Sequence, residues 1–229
     1  MTHVERYPEL KAVLFDLDGT LVVTANRWTE RLSRRLDWLK RLFPRFEPQR
    51  AAHRLINGFE FVTTYGMLWL EHLGVGSSFF GLADRIRRSK GLATRAASTL
   101  IRGSEDLLEQ LSQRYLLAVV TTRQRPEAEA FLNAANITRF FQVVITRQDV
   151  WYIKPHAAPV RKAAQLLGVQ VNSCLMVGDT TMDMRSARRA KARAIGVLTG
   201  YDERDELNRA GAEQVLASAA ELVEYLRDY

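Results

Sequence analysis

Outside residues 24–98, short apolar segments alternate with helical patterns, and this alternation limits the fold more than any other feature. The strand-like segments are KAVLF (11–15), YLLAVV (115–120), FQVVIT (141–146), SCLMV (173–177) and ARAIGV (192–197), with EQVLA (213–217) as a weaker sixth. Helical patterns such as GSEDLLEQLSQR and APVRKAAQLLG lie between them. Strands that alternate with helices of this length predict an α/β fold with a parallel sheet, and continuous apolar strands fit a sheet covered on both faces.

Residues 24–98 interrupt this alternation with helical sequence. Within NRWTERLSRRLDWLKRLF (26–43), apolar residues recur at spacings of three and four, at Trp28, Leu32, Leu36, Leu39 and Phe43. That spacing is typical of one face of an amphipathic helix, and arginines occupy the other face. We therefore predict an α/β core of residues 1–22 and 99–229, and a small α-helical insert of residues 23–98.

The positive charge of the chain is concentrated in this insert. The formal net charge is +7, and residues 24–98 carry 14 Lys and Arg against 6 Asp and Glu. A positive field favours anionic partners, although a solvated helical surface can have the same composition. No motif for nucleic-acid recognition accompanies the charge, so we do not expect a nucleic-acid partner.

Composition and targeting signals predict a soluble, cytoplasmic protein. Hydrophobic residues make up 47% and charged residues 26% of the chain, as in ordinary globular proteins. No apolar run approaches the ~20 residues of a membrane-spanning helix. The first residues, MTHVERYPELK, lack the apolar region of a secretory signal. The single cysteine, Cys174, cannot form an internal disulfide, which fits a reducing compartment.

Polar residues that can carry chemistry follow four of the predicted strands. They are Asp16 and Asp18 after the first strand, Thr121 and Thr122 at the end of the second, Lys154 after the third, and Asp179 and Asp183 after the fourth. Each of them could by itself be a turn or helix-cap residue. Because ligands bind beyond the carboxyl ends of the strands in an open parallel sheet, we expect the whole set to form one site.

The residue types in this set indicate phosphoryl transfer. Clustered carboxylates repel one another unless a cation joins them, and hard oxygen ligands favour Mg²⁺, which often bridges carboxylates to phosphate. A lysine and backbone N–H groups hold phosphate oxygens. A carboxylate can also attack phosphorus and form an aspartyl-phosphate. The interpretation from the residues alone is therefore Mg²⁺-assisted phosphoryl transfer.

The same residues resemble a known family. DLDGTL, VVTT, Lys154-Pro155 and GDTTMD, in that order, look like the four motifs of the haloacid dehalogenase superfamily of phosphatases. The tail GVLTGYDERDELNRAGAEQVLASAAEL is similar to the C-terminal region of phosphoglycolate phosphatase-like members, and the insert to their small helical (C1-type) cap. The resemblance implies a Rossmann-like parallel sheet as the core.

The resemblance also implies roles for the first and third motifs. Asp16 would be the nucleophile that forms the aspartyl-phosphate. Asp18 would protonate the leaving alkoxide and then activate water as a general base. Gly19 would allow the turn that aims both aspartates. Lys154 would balance the charge of Asp16 and of the phosphoryl group.

The remaining predicted site residues would bind phosphate and metal. Thr121 would donate a hydrogen bond to a phosphate oxygen, and the backbone at Thr122 and Leu17 would complete the phosphate cradle. Asp179 would bind Mg²⁺ together with the Asp16 carboxylate and the backbone carbonyl of Asp18. Asp183 would support the metal directly or through water.

We therefore expect a Mg²⁺-dependent phosphatase that hydrolyses a small phosphorylated metabolite, as a monomer or a homodimer. A sugar-phosphate mutase, another phosphotransferase or a phosphonatase would use the same scaffold, whereas a dehalogenase does not need Asp18 or the metal. A non-catalytic binding or regulatory protein is the alternative from a different class, and loss of a motif residue would have favoured it. A nucleic-acid-binding module would show an affinity that falls steeply with salt.

Overall fold

The computed structural model describes residues 10–23 and 99–227, which belong to one compact unit formed by the two ends of the chain. The predicted helical insert, residues 23–98, lies outside the described residues except for Val23, so its boundaries stay a prediction. Within the described ranges, no helix is long and apolar enough to cross a bilayer.

Eight strands lie in the described residues. In chain order they are β1 (Ala12–Phe15), β2 (Val22–Val23), β3 (Thr99–Leu100), β4 (Leu116–Val120), β5 (Val143–Ile145), β6 (Cys174–Gly178), β7 (Arg193–Val197) and β8 (Gln214–Leu216). Six of them form one sheet in the order β5-β4-β1-β6-β7-β8, and every neighbouring pair is parallel. The predicted α/β fold with a parallel sheet is confirmed.

Helices connect the strands, as the alternating pattern predicts. They are α1 (Ser104–Ser112), α2 (Arg125–Ala134), α3 (Ala158–Leu167), α4 (Thr181–Ala190), α5 (Arg204–Ala210) and α6 (Leu222–Arg227). Single turns of 3₁₀-helix occur at Thr138–Phe140, Val171–Ser173 and Ala219–Glu221. Helix α3 ends at Gly168, whose φ of 69° gives the left-handed turn that commonly terminates a helix.

The sheet has an apolar layer on each face. Successive residues of β1 point to opposite faces, and Val13 and Phe15 belong to one buried cluster while Ala12 and Leu14 belong to the other. Residues of α1, α2 and α6 complete the first cluster, and residues of α3, α4 and α5 complete the second. All four residues of β1 are fully buried, which explains why this strand reads as a continuous apolar run.

The register of the sheet brings the ends of three central strands level. Phe15, the last residue of β1, is aligned with Val119 of β4 on one side and with Val177 of β6 on the other. The residues that follow these strands therefore emerge side by side at the carboxyl edge of the sheet. The backbone N–H of Asp16 still donates to the carbonyl of Val177, at 2.9 Å, which anchors the turn to the sheet.

Strands β2 and β3, which flank the insert in the sequence, form a two-stranded antiparallel ribbon. Val22 of β2 pairs with Leu100 of β3, and Val23 pairs with Thr99. The chain thus leaves the α/β unit and re-enters it at adjacent positions.

Candidate active site

Three carboxylates meet at the carboxyl edge of the sheet. Asp16 follows β1, Asp179 follows β6, and Asp183 lies in the first turn of α4; one ligand oxygen from each lies within 4.8 Å of the others. Asp16 is 6% exposed, and the other two are fully buried. Because like charges this close repel strongly in a buried environment, the carboxylate cluster (Asp16, Asp179 and Asp183) requires positive charge nearby.

Lys154 supplies part of that charge from the connection after β5. Its Nζ donates to Asp16 Oδ1 and to Asp183 Oδ1, both at 2.6 Å, and to the backbone carbonyl of Val120 at 3.0 Å. The three acceptors use the three donors of the ammonium group. Lys154 is 3% exposed, so it is a buried cation whose ammonium group contacts three protein oxygens.

The surroundings shift the pKa values of this buried pair. The pKa of Asp16 is raised to about 7: burial raises it most, the Lys154 ammonium opposes this, and the carboxylates of Asp183 and Asp18 raise it further. Burial by itself lowers the pKa of Lys154, but the carboxylates of Asp16 and Asp183 outweigh it and the pKa lies above its usual value. Lys154 therefore stays charged, while Asp16 needs further positive charge to be fully ionised at neutral pH.

Asp179 occupies a position that two glycines shape. A Cβ atom at Gly19, where φ is 79°, or at Gly200 would overlap the Asp179 carboxylate. The backbone N–H of Tyr201 donates to Asp179 Oδ2 at 3.0 Å, and the Thr20 hydroxyl donates to Oδ1 at 3.3 Å. Burial nevertheless raises the pKa of Asp179 well above its usual value, as do its two carboxylate neighbours. The charged form of Asp179 is therefore unfavourable in the absence of a cation, although the carboxylate fits its position tightly.

Asp183 is oriented by the start of helix α4. Thr180 is the N-cap residue; its hydroxyl and backbone N–H both contact Asp183 Oδ2, at 2.5 and 3.2 Å, and its hydroxyl accepts from the Asp183 N–H at 3.3 Å. This reciprocal capping box fixes the side chain at the first turn. The other oxygen, Oδ1, remains directed at Lys154.

Asp18 lies outside the carboxylate cluster and has a different partner. Arg123, in the turn after β4, donates from Nε to Asp18 Oδ2 at 2.6 Å and from Nη2 to Oδ1 at 2.5 Å. The Asp18 side chain is 26% exposed and the Arg123 side chain is 19% exposed. The predicted contact of the Asp18 backbone carbonyl with a metal stays a prediction.

The three remaining predicted site residues line the turns after β1 and β4. Thr121 is 5% exposed, and its hydroxyl accepts a hydrogen bond from the Arg123 N–H at 3.1 Å. Thr122 is exposed, and the Leu17 side chain is fully buried in the core. Only the backbone of Leu17 can therefore face a ligand at the edge of the sheet, as the resemblance implies.

The charges of the cluster fit a divalent cation. Lys154 contributes one positive charge against three carboxylates, which leaves two negative charges for a further cation to balance. The donors are all hard oxygens, the ligand type that Mg²⁺, Ca²⁺ and Mn²⁺ prefer. The arrangement can hold such an ion beside an unprotonated Asp16 oxygen, within reach of the open carboxyl edge of the sheet.

A comparison with family models matches residues 13–197 to the haloacid dehalogenase-like hydrolases. The chain belongs to this family. The match runs from the second residue of β1 to the end of β7 and includes Asp16, Asp18, Lys154, Asp179 and Asp183. The predicted superfamily membership and the prediction of a hydrolytic enzyme are confirmed.

Individual relatives of this hydrolase agree with the family match. The chain is 26% identical to a phosphoglycolate phosphatase of Pectobacterium atrosepticum over 93% of its own length and 91% of the relative. It is 31% identical to the probable phosphatase IndB of Dickeya dadantii, over 92% and 91% of the two chains. A solved hydrolase from Pseudomonas syringae superimposes with a TM-score of 0.70 at 25% identity, covering 95% of this chain and 98% of that one.

Sequence reasoning missed several residues of the hydrolase site. Arg123 directly follows Thr121 and Thr122, the only residues of this turn for which the sequence predicts a role, and Thr20 directly follows the motif glycine. The loop Thr199–Tyr201 forms a fifth connection: Tyr201 N–H contacts Asp179, and the Thr199 hydroxyl donates to the Gly19 carbonyl at 2.6 Å. The strand-end rule that located the other connections would have found this one after ARAIGV.

Proposed function

We propose that this hydrolase is a phosphatase that cleaves the phosphate monoester of a small metabolite through an aspartyl-phosphate on Asp16, with Mg²⁺ as its cofactor. The observation that carries the proposal is the convergence of Asp16, Asp179 and Asp183 on Lys154 at the carboxyl edge of the sheet. The phosphatase names of the relatives support the same class of substrate.

The cofactor follows from the charge of the site. The carboxylates of Asp16, Asp179 and Asp183, with the backbone carbonyl of Asp18, would hold the ion. When bound, Mg²⁺ would draw charge from the phosphoryl oxygens and lower the repulsion between phosphate and carboxylate. The fitted position of Asp179 between two glycines supports this role, since a buried carboxylate gains little stability without a cation.

The groups of the chain would divide the reaction into two displacements. In the first, an Asp16 oxygen forms a bond to phosphorus while the bond from phosphorus to the leaving oxygen breaks, and Asp18 gives its proton to that oxygen. In the second, Asp18 takes a proton from water, the water oxygen attacks phosphorus, and the bond to Asp16 breaks. Inorganic phosphate is released and both aspartates return to their starting states.

The remaining groups would bind the phosphoryl group and keep it in line. The Lys154 ammonium already contacts Asp16, so it lies where negative charge accumulates. The Thr121 hydroxyl and the backbone at Leu17 and Thr122 would donate to the other phosphoryl oxygens. Positioned donors of this kind stabilise the transition state because they need no reorganisation during the reaction.

The predicted cap, residues 23–98, would exclude water from the site and contribute substrate contacts through its arginines. The antiparallel pairing of Val22 with Leu100 supports an insert that leaves and re-enters the core at one point. We propose a small phosphorylated metabolite as the ligand and a monomer or homodimer in the cytoplasm.

A hydrolysis assay tests this function. Purified protein is incubated with p-nitrophenyl phosphate and a panel of phosphorylated metabolites, with and without Mg²⁺, and released phosphate is measured. We expect Mg²⁺-dependent release, and a decrease in kcat of roughly 10⁴-fold or more for Asp16→Asn, by analogy with other removed nucleophiles. Transfer of phosphate to a second sugar position without release would instead identify a mutase.

The matched control is Glu105→Gln, which alters an exposed carboxylate bound to Arg139 away from the site. It removes one negative charge, as Asp16→Asn does, and we expect wild-type rates. Wild-type activity in Asp16→Asn, or in an excess of chelator, would contradict the proposed mechanism.

A further inference from the structure

Arg123 holds Asp18 by a two-point contact on the rim of the site. Nε and Nη2 of Arg123 each donate to a different oxygen of Asp18, at 2.6 and 2.5 Å. This bidentate geometry is among the strongest hydrogen-bonded arrangements of an arginine with a carboxylate. Both oxygens that could serve as the acid or base are therefore engaged by the same guanidinium.

The Arg123 side chain is supported at its base and is partly exposed. The backbone N–H of Arg123 donates to the Thr121 hydroxyl, and the guanidinium carbon lies 5.5 Å from the ring centre of Phe131 on α2. An arginine above an aromatic face retains its charge and gains a cation–π contact. The side chain nevertheless remains 19% exposed, so a ligand at the rim can reach it.

This contact is incompatible with one step of the proposed reaction. To give a proton to the leaving oxygen, the Asp18 carboxyl group has to direct an oxygen at the substrate. A carboxylate that accepts from both arms of a guanidinium is turned towards the arginine instead. Arg123 must therefore release at least one Asp18 oxygen during turnover, and a charged guanidinium released from one anion is best stabilised by another.

We propose that Arg123 exchanges Asp18 for a second anionic group on the leaving group of the substrate, and so selects phosphate esters whose leaving group carries a carboxylate or a phosphate. The inference rests on the proposed function, in which Asp18 lies beside the leaving oxygen. Arg123, bound to Asp18, then lies on the leaving-group side of the scissile bond. An anion there accepts the N–H groups that Asp18 gives up.

The exchange makes bond cleavage depend on the anionic leaving group. As that anion binds Arg123, the released Asp18 carboxylate takes up a proton from solvent, turns to the leaving oxygen and gives the proton to it while the phosphorus–oxygen bond breaks. A substrate without the second anion leaves Arg123 on Asp18 and reacts more slowly. Arg123 is thus a specificity-determining residue that acts partly through the position of Asp18.

Two substrates that differ only at the far end of the leaving group test this inference. One is 2-phosphoglycolate, which carries a carboxylate, and the other is 2-hydroxyethyl phosphate, which carries a neutral hydroxyl. We expect wild-type protein with Mg²⁺ to prefer 2-phosphoglycolate in kcat/KM. Arg123→Met would lower that preference roughly 10- to 150-fold, the equivalent of one charged hydrogen-bonded contact.

The two kinetic constants separate this role from a structural one. In Arg123→Met we expect KM for 2-phosphoglycolate to rise, while kcat/KM for 2-hydroxyethyl phosphate falls less, because that substrate has no second anion for Arg123 to bind. Arg123→Lys, which keeps the charge without the two-armed geometry, would restore part of the preference. If Arg123→Met does not fold, Arg123→Gln provides the same comparison.

Arg139→Met is the matched control. Arg139 also pairs with a carboxylate, Glu105, and lies 4.4 Å from the ring centre of Phe140, but it is away from the site. An unchanged preference in Arg123→Met, an equal change in Arg139→Met, or a wild-type preference for the neutral substrate overturns the inference. Hydrolysis of p-nitrophenyl phosphate but of neither test substrate by wild-type protein also overturns it, whereas absence of hydrolysis of all three would refute the proposed function on which the inference rests.

Discussion

Asp16 and Asp18 are two residues apart, yet they lie in opposite kinds of environment. The Asp16 side chain is 9% exposed and contacts the compact ammonium of Lys154, which it shares with Asp183. The Asp18 side chain is 26% exposed and is held by the two-armed guanidinium of Arg123. Successive turns at the end of β1 thus direct one carboxylate into the protein and the other to its rim.

The difference corresponds to the tasks proposed for the two aspartates. A nucleophile has to stay in one place, and burial with a lysine and a metal fixes Asp16 at the cost of a pKa raised to about 7 without the metal. A group that moves protons between leaving oxygen and water has to change partners, and a partly exposed ion pair contributes little to stability when it breaks. The environment therefore separates the roles of two chemically identical side chains.

Replacing the cation beside each aspartate tests most directly whether the two environments differ in energy. Lys154→Met would leave Asp16 and Asp183 buried without their ammonium, and unpaired buried charges of this kind cost about 3–5 kcal/mol. Arg123→Met exposes Asp18 to water and would cost about 1 kcal/mol or less. Urea unfolding of both variants in chelator measures the two costs, and equal values would show that burial does not distinguish the aspartates.

A Mg²⁺ titration tests which aspartates bind the ion, and its expected effect on the free energy of unfolding is smaller. At 100 times its dissociation constant, Mg²⁺ would raise the free energy of unfolding of the wild-type protein by about 2.7 kcal/mol. Asp179→Asn would lose this gain while unfolding less readily than wild type in chelator, since it removes one of three neighbouring buried charges. Melting temperatures at increasing Mg²⁺ concentrations measure both changes.

The control for this titration is Asp18→Asn. Its carboxylate is not part of the cluster of Asp16, Asp179 and Asp183, so we expect most of the Mg²⁺-induced stabilisation to remain. Loss of the stabilisation in Asp18→Asn but not in Asp179→Asn would place the cation on the rim of the site and contradict the proposed ligand set.

Much of the fold could be predicted from the sequence, because its strands are buried on both faces and read as apolar runs. KAVLF and SCLMV correspond to β1 and β6 within one residue at each end. Helices α5 and α6 were missed, since seven and six residues are too few to show a helical period. The pair β2 and β3 was also missed, because two-residue strands exist only through a partner far along the chain.

The site was predictable to the extent that strand ends determine it. Asp16 and Asp179 follow strands that the sequence reveals, so their proximity follows from a parallel sheet. The partner of Asp18 depends on the direction of the Arg123 side chain, which no spacing rule contains. Tyr201 contacts Asp179 through its backbone N–H, so its residue type carries no signal for this contact. The chemical roles of the site residues stay predictions.

The ion pair of Asp149 with Arg125 gives the smallest effect and serves as a baseline for the pairs of Asp16 with Lys154 and of Asp18 with Arg123. Asp149 accepts from Arg125 Nη2 at 2.7 Å and from the Thr146 N–H and hydroxyl at 2.7 and 2.6 Å. Burial alone raises the pKa of Asp149, but the hydrogen bonds from Arg125 and Thr146 outweigh it, and the pKa lies below its usual value. The contribution of this pair to stability is therefore present above the unfolded pKa of about 4 and is lost as the pH falls through the folded pKa.

Asp149→Asn would accordingly destabilise the protein at pH 7 by about 0.5–1 kcal/mol, as expected for a partly exposed pair. The difference from wild type should shrink as the pH falls below the unfolded pKa of about 4 and through the lower folded pKa, because both proteins then carry an uncharged side chain at this position. Urea unfolding across this range measures it, with Glu129→Gln, which alters the more exposed partner of Arg125, as the control. A difference that grows on acidification would reverse the sign, and a loss of Mg²⁺-dependent hydrolysis would show that the turn after β5 belongs to the site together with Lys154.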